Sequence, residues 1–288
     1  MASTTHTAGR YYLPAPSKWP ITAASAMLCL GFGAAFTVNH LVLGYVLLAI
    51  GFVIFAFMLF GWFGTVAHES EGGRFNRQVD TSFRWGMSWF IFSEVMFFAA
   101  FFGALFYIRN FSVPWLAGAE QKLLWPDYSA AWPESGFGPA NVGDQFTPIA
   151  AFGLPAINTL LLLSSGVTVT IAHWALKVNK RGALAFWLFA TIALGVTFLF
   201  VQMYEYGHAY HELNLKLTTG VFGSTFFMLT GFHGFHVTVG CIMLTAILGR
   251  CLAGHFKPEH HFGFEGVAWY WHFVDVVWLL LFILVYWL

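Results

Sequence analysis

Charge is what this sequence has least of. Of its 288 residues only 9% are Asp, Glu, Lys or Arg, while 58% are hydrophobic. A water-facing domain carries about 25% charged residues, so there is too little charge here to cover a soluble surface. The 13 basic and 13 acidic residues cancel, which leaves no net field to hold a nucleic acid. Cysteine is scarce too. Cys29, Cys241 and Cys251 lie apart in apolar stretches. They read as small buried thiols, and a disulfide scaffold is excluded. Near the start, Arg10 and Lys18 are separated by Pro14 and Pro16, and the first apolar run is already a full span. Neither a signal peptide nor a transit peptide is expected. No internal repeat is evident. These absences leave one class, an all-α polytopic membrane protein.

Long apolar runs are abundant. A bilayer core about 30 Å thick takes roughly 20 residues of helix. Between Trp19 and Ala67 there is no Asp, Glu, Lys or Arg, a run too long for one helix. Asn39-His40 interrupts it, so two spans are expected, about 20–38 and 42–66, joined by a tight turn. Five more follow at about 84–108, 150–176, 184–207, 219–250 and 265–288. Pro155 falls in the first turns of the fourth, where a missing N–H is tolerated. Thr219 is placed to cap the sixth. Residues 111–148, rich in Pro, Gly, Trp and Asp, read as an ordered external loop. Its Trp125-Pro126 and Trp132-Pro133 suit an interface. The chain thus divides into 1–67, the N-terminal tail with helices 1 and 2, and 68–288, helices 3 to 7 with the external loop.

Basic residues in short loops orient such a protein. One side collects Arg10, Lys18, Arg74, Arg77, Arg84, Lys177, Lys180, Arg181, Arg250 and Lys257, the other Arg109, Lys122 and Lys216, a split of 10 to 3. The N-terminus is expected inside and the C-terminus outside.

Ionisable groups at lipid depth cost several kcal/mol and by default mark function. Glu94 sits near the middle of the third span and needs a hydrogen-bond partner there. It reads either as a proton-linked or structural acid, or as a packing residue bonded to a neighbouring helix. In the seventh span His272 and Asp275 are three apart and share a helical face. His233 and His236, also three apart, lie mid-span among glycines. That spacing suits a metal or haem ligand pair, or two histidines bonding across closely packed helices. Glu205, His208, His211 and Glu212 read as a wet rim at the outer end of the fifth span. On the inside, His68, Glu69, Arg250, His255, Lys257, His260 and His261 would share one water interface if the second and sixth helices approach. With Trp62 nearby, Arg250 suits a lipid headgroup, since guanidinium grips phosphate in a fork. Three classes fit so far. One is a cofactor-bearing or proton-moving enzyme, and another is a non-catalytic subunit that supports one. The third is a transporter, which would show matching broken helices in two halves, and none are seen.

Several stretches carry a resemblance. They are Pro16-Ser17-Lys18-Trp19-Pro20, Phe92-Ser93-Glu94-Val95-Met96-Phe97-Phe98, Leu154-Pro155-Ala156-Ile157-Asn158-Thr159, and Ala172-His173. The list continues with Gly223-Ser224-Thr225-Phe226-Phe227 and Thr230-Gly231-Phe232-His233-Gly234-Phe235-His236-Val237. The most specific is the run from Gly263 to Trp278, which includes Trp269-Tyr270-Trp271-His272-Phe273-Val274-Asp275. In order along nearly the whole chain, they resemble cytochrome c oxidase subunit III. The resemblance implies a core subunit of a proton-pumping haem-copper oxidase of the A family, which reduces oxygen to water. Such a subunit has no catalytic centre, no metal and no cofactor of its own. Haem a and copper belong to partner subunits, catalysis to subunit I, and electron entry to the copper centre of subunit II. The chain would pack directly on subunit I, sustain proton uptake by the D pathway and protect against turnover inactivation. Its helices would group two plus five around a cleft filled with structural phospholipids.

By the same resemblance Glu94 is the buried carboxyl of the third helix, and His233 and His236 are structural. Arg250, Glu69, Trp62 and His255 lie near lipid headgroups. The sequence departs from the family at Phe63-Gly64, at His173-Trp174 and at Lys177-Val178-Asn179-Lys180-Arg181. Its external loop is longer than in mitochondrial forms. A bacterial inner membrane is the expected location.

Overall fold

A computed structural model describes residues 12–118, 120–126, 128–133 and 145–288. Arg10, Asp127 and the 134–144 part of the expected external loop lie outside the described residues. Among the described residues seven helices are long and apolar enough to cross a membrane. They are α1 Trp19–Val38, α2 Val42–Glu71, α3 Arg77–Leu116, α4 Leu154–Lys177, α5 Arg181–His211, α6 Gly220–Leu252 and α7 Phe262–Trp287. The expected all-α, seven-span class is therefore what the chain adopts. The break between α1 and α2 falls at Asn39-His40, with His40 in the left-handed region at φ +59°.

Several helices run past their expected bounds: α2 ends at Glu71 rather than 66, α5 spans Arg181–His211 rather than 184–207, and α3 spans Arg77–Leu116 rather than 84–108, taking in the first residues of the expected external loop. α3 begins at Arg77, seven residues before the expected Arg84. The Asn76 side chain accepts the Val79 N–H at 3.0 Å, and Asp80 lies in the first turn. Both favour a helix start, so a polar turn precedes the apolar span. Thr219 does stand at the start of α6 but makes no side-chain cap. Its hydroxyl donates backwards to the Lys216 carbonyl at 2.6 Å instead.

The described chain forms two compact units, one up to Phe83 and one from Arg84. In the first, α1 and α2 pack as a hairpin on glycine notches. A Cβ at Gly33 would stand 2.7 Å from the Leu48 backbone nitrogen, and one at Gly51 would stand 2.8 Å from the Leu30 side chain. Small residues of this kind let helices in lipid approach closely. Trp19 lies over Gly61 and donates from Nε1 to Thr65 Oγ1 at 3.3 Å. Much of the remaining hairpin surface is apolar and exposed, including Phe32, Phe52, Phe60 and Phe63.

In the second unit α7 supplies the centre. Trp271 is fully buried. A Cβ at Gly195 of α5 or at Gly240 of α6 would stand 2.6 or 2.8 Å from its ring. Its Nε1 donates to Ser165 Oγ of α4 at 2.9 Å. One side chain thus joins four helices. Trp278, two turns further on and also fully buried, donates to Thr159 Oγ1 at 3.0 Å and meets Phe198 edge-on at 4.7 Å. α3 is attached differently, by long rings. Phe97 meets Phe232 at 5.1 Å, Phe98 meets Phe273 at 6.1 Å and Phe90 stacks on Tyr270 at 6.1 Å.

Candidate functional site

Three acidic side chains inside the spans of the second unit, Glu94, Asp275 and Glu205, each gather a group of partners. The first joins α3 to α6. Glu94, seventeen residues from the start of α3 and so about 25 Å along it at about 1.5 Å per residue, meets His236 Nε2 through Oε2 at 3.0 Å. His236 Nδ1 lies 2.7 Å from the Phe232 carbonyl. A carbonyl only accepts, so Nδ1 carries a hydrogen. The contact between Nε2 and Oε2 then holds a single proton between ring and carboxyl. Rings of Phe98 and Phe97 flank the imidazole at 5.0 and 5.9 Å.

His233, one turn earlier, has a different partner. It is fully buried, donates from Nε2 to the Val274 carbonyl at 3.2 Å, and lies 5.1 Å from the Trp278 ring. The two histidines of the motif therefore serve separate contacts, one to α7 and one to α3.

The second group lies between α4 and α7. Asp275 is buried, and its Oδ2 stands 3.5 Å from His272 Nδ1. His272 Nε2 reaches Thr170 Oγ1 at 3.3 Å. A Cβ at Gly166 would collide with Asp275 Oδ2, so that position must be glycine for the carboxylate to fit.

The third group was read from sequence as a wet rim, and that reading is corrected for Glu205. Its side chain is fully buried. The Tyr286 hydroxyl of α7 donates to Glu205 Oε1 at 2.6 Å. His208, His211 and Glu212 do form a rim, with His208 and Glu212 paired at 3.0 Å. Helical periodicity turns Glu205 inward, and its partner lies 81 residues away on another helix, so spacing alone gave no sign of the pair.

A further cluster was not singled out from sequence. Glu265, at the start of α7, forms an ion pair with Arg84 of α3. The other carboxylate oxygen faces His261 Nε2 at 3.2 Å and His173 Nε2 at 3.6 Å. The ligand atoms of His173, His261 and Glu265 all lie within 4.8 Å of one another. Opposite charges at the starts of the third and seventh spans were the available signal.

The four expected headgroup residues divide between the units. Trp62 is half-exposed and stacks beside Phe63 at 6.3 Å, and Glu69 accepts the Tyr12 hydroxyl at 2.9 Å. In the second unit the Arg250 guanidinium lies 4.4 Å over the Phe256 ring. His255 follows just beyond the end of α6, its backbone N–H bonded to the Arg250 carbonyl at 3.1 Å.

These pairings place the polar residues of the aligned motifs at helix-to-helix contacts. The model of the cytochrome c oxidase subunit III family matches residues 9–288. The chain belongs to that family. Similar proteins include cytochrome c oxidase subunit 3 of Tetraodon nigroviridis, 40% identical over 285 residues, and of Hippopotamus amphibius, 40% identical over 286 residues. That of Latimeria chalumnae is 39% identical over 285 residues. Each match covers 98% of this chain and 98% of the relative. A subunit III of this family is a component of a respiratory oxidase complex in a membrane. Family membership implies that haem and copper are held by the other subunits.

Proposed function

We propose that this subunit III is a non-catalytic support of a proton-pumping oxidase. It packs on subunit I alongside subunit II, binds phospholipid, sustains proton uptake through the D pathway, and protects the oxidase from inactivation during turnover. The observation that carries this reading is the closed pairing of Glu94. Its partner His236 is already committed on the far side of the ring to Phe232. A carboxyl held in this way fixes helix against helix, whereas a relay would need a titratable group beyond the ring in place of the Phe232 carbonyl, which accepts a hydrogen bond but does not carry a proton onward.

Phospholipid is the proposed structural ligand. The exposed apolar faces of the α1–α2 hairpin suit acyl chains. Trp62 and Glu69 on that hairpin, and Arg250 and His255 on the second unit, are the proposed headgroup residues. Arg250 suits phosphate because guanidinium makes forked, charge-assisted hydrogen bonds. The 10 to 3 split of basic residues supports a cytoplasmic N-terminus and a periplasmic C-terminus. The long 111–148 segment supports a bacterial plasma membrane.

The test uses the purified oxidase carrying Arg250→Ala. Phospholipid per haem a and the number of turnovers before inactivation are measured together. Both should fall relative to the native complex. If both are unchanged, the lipid role of Arg250 is wrong. Oxidase stripped of this subunit should take up protons more slowly through the D pathway, and an unchanged uptake rate would remove that part of the proposal.

A further inference from the structure

The support role proposed above makes no use of His173, His261 and Glu265. His173 stands near the end of α4, His261 directly before α7, and Glu265 in the first turn of α7. Three atoms converge there. His173 Nε2 lies 3.1 Å from His261 Nε2 and 3.6 Å from Glu265 Oε1, and His261 Nε2 lies 3.2 Å from the same oxygen. Zinc holds nitrogen and oxygen ligands tetrahedrally at about 2.0–2.2 Å, which sets neighbouring ligand atoms about 3.3 Å apart. The triangle already has that size. The side chains of His261, Glu265 and His173 are 9%, 12% and 19% exposed, so protein lines the site and an ion can still enter it.

The surrounding contacts prepare the triangle for a cation. His261 Nδ1 lies 3.2 Å from the Lys257 carbonyl. A carbonyl only accepts, so Nδ1 carries the ring hydrogen. Nε2 of the neutral ring then turns its lone pair to Glu265 Oε1, and two acceptors face one another. In neutral rings only His173 Nε2 has a hydrogen to offer them. A divalent ion satisfies all three atoms at once. The other oxygen of Glu265 is held by Arg84. A metal-bound histidine typically gives its second N–H to a carbonyl or carboxylate, and a metal-bound carboxylate is itself hydrogen-bonded. The Lys257 carbonyl and Arg84 stand in those two places.

We propose that His173, His261 and Glu265 form a binding site for a divalent transition-metal ion of the zinc class, with water as the fourth ligand. Two imidazoles select against magnesium and calcium, which take oxygen ligands. Arg84 and Lys177 add positive charge nearby, so affinity rests on the three ligand atoms and their fit. The site departs from the family resemblance, which implies a chain without metal. The ion joins the end of α4 to the start of α7, and through Glu265 and Arg84 to α3, so its role is to fix helix ends.

The experiment uses the purified oxidase, cleared of loose metal with a chelator and then equilibrated with zinc. Anomalous scattering at the zinc edge, from crystals of the complex, should show a peak about 2 Å from all three ligand atoms. Zinc per haem a, measured by elemental mass spectrometry, should fall by one equivalent per complex in His173→Gln. Excess magnesium should not displace it. A peak only at other places, an equal zinc content in native and variant oxidase, or displacement by magnesium would each overturn the site. If His173→Gln does not retain the chain, His261→Gln supplies the comparison, and the anomalous map of the native complex decides the site by itself. Zinc should also raise the temperature at which the chain dissociates from native oxidase, and leave that of His173→Gln unchanged. An equal rise in both would place the effect elsewhere and remove the structural role.

Discussion

Glu94 and His236 are 142 residues apart in the chain, and their side chains meet at 3.0 Å. The partner fixes what each substitution should do. In Glu94→Gln the amide N–H still donates to His236 Nε2, so assembly, turnover and proton pumping should match the native oxidase. Glu94→Ala leaves that nitrogen unpartnered, at about 1–3 kcal/mol. It should appear as loss of the subunit on detergent washing or as earlier inactivation. A Gln variant that assembles normally but ceases to pump would show that Glu94 belongs to the proton path.

The pair of Glu205 and Tyr286 makes a parallel case near the end of α5. Glu205→Gln retains an acceptor for the tyrosine hydroxyl and should be tolerated. Tyr286→Phe strands a buried carboxyl and should cost about 1–3 kcal/mol, read as a lower temperature of thermal dissociation from the complex. Equal dissociation temperatures for the two variants would count against the pair.

Glycine substitutions on α6 should separate by position. A Cβ at Gly240 would stand 2.8 Å from the Trp271 ring, whereas one at Gly249 would meet nothing within 4 Å. Gly240→Ala should therefore destabilise by about 1–3 kcal/mol through overpacking. Gly249→Ala should be neutral. The yield of subunit in assembled oxidase reports both, and equal yields would mean the notch has room to relax.

At the other attachment of α3, Glu265→Gln removes the carboxylate facing Arg84, His173 and His261. The first turns of α3 from Arg84 onward should then exchange amide hydrogens several-fold faster in mass-spectrometric exchange. An unchanged rate would assign the hold on α3 to the aromatic contacts and the Glu94–His236 pair.

The spans were legible because hydropathy reports burial in lipid or protein without needing to know a partner. The uncharged run from Trp19 to Ala67 and its break at Asn39-His40 correspond to the α1–α2 hairpin directly. The start of α3 was less legible. Arg77, Gln78 and Asp80 carry no hydropathy signal, and the helix there depends on the Asn76 cap. Glu94, His236, His272 and Asp275 were conspicuous as expensive charges, but their pairing was hidden. Spacing along one helix says nothing of what a neighbouring helix presents. Glu205 was misread for the same reason, since its burial depends on Tyr286. Thr219 shows the limit of a local rule, because its hydroxyl bonds the preceding Lys216 backbone and makes no cap on α6.

The deep burial of Trp271 and Trp278 has a consequence for biosynthesis. α7 follows the other six spans in the chain, so it leaves the ribosome after them. Until it arrives, the notch at Gly195 and Gly240 has nothing to fill it, and Ser165 and Thr159 have no indole to accept from. The first unit, by contrast, makes its hairpin contacts within its own sequence and can pair while translation continues. A nascent chain stopped before α7 would hold a formed hairpin beside a second unit without a centre, which a membrane protease could recognise. Completion of the polypeptide thus becomes the event that commits the second unit to its fold.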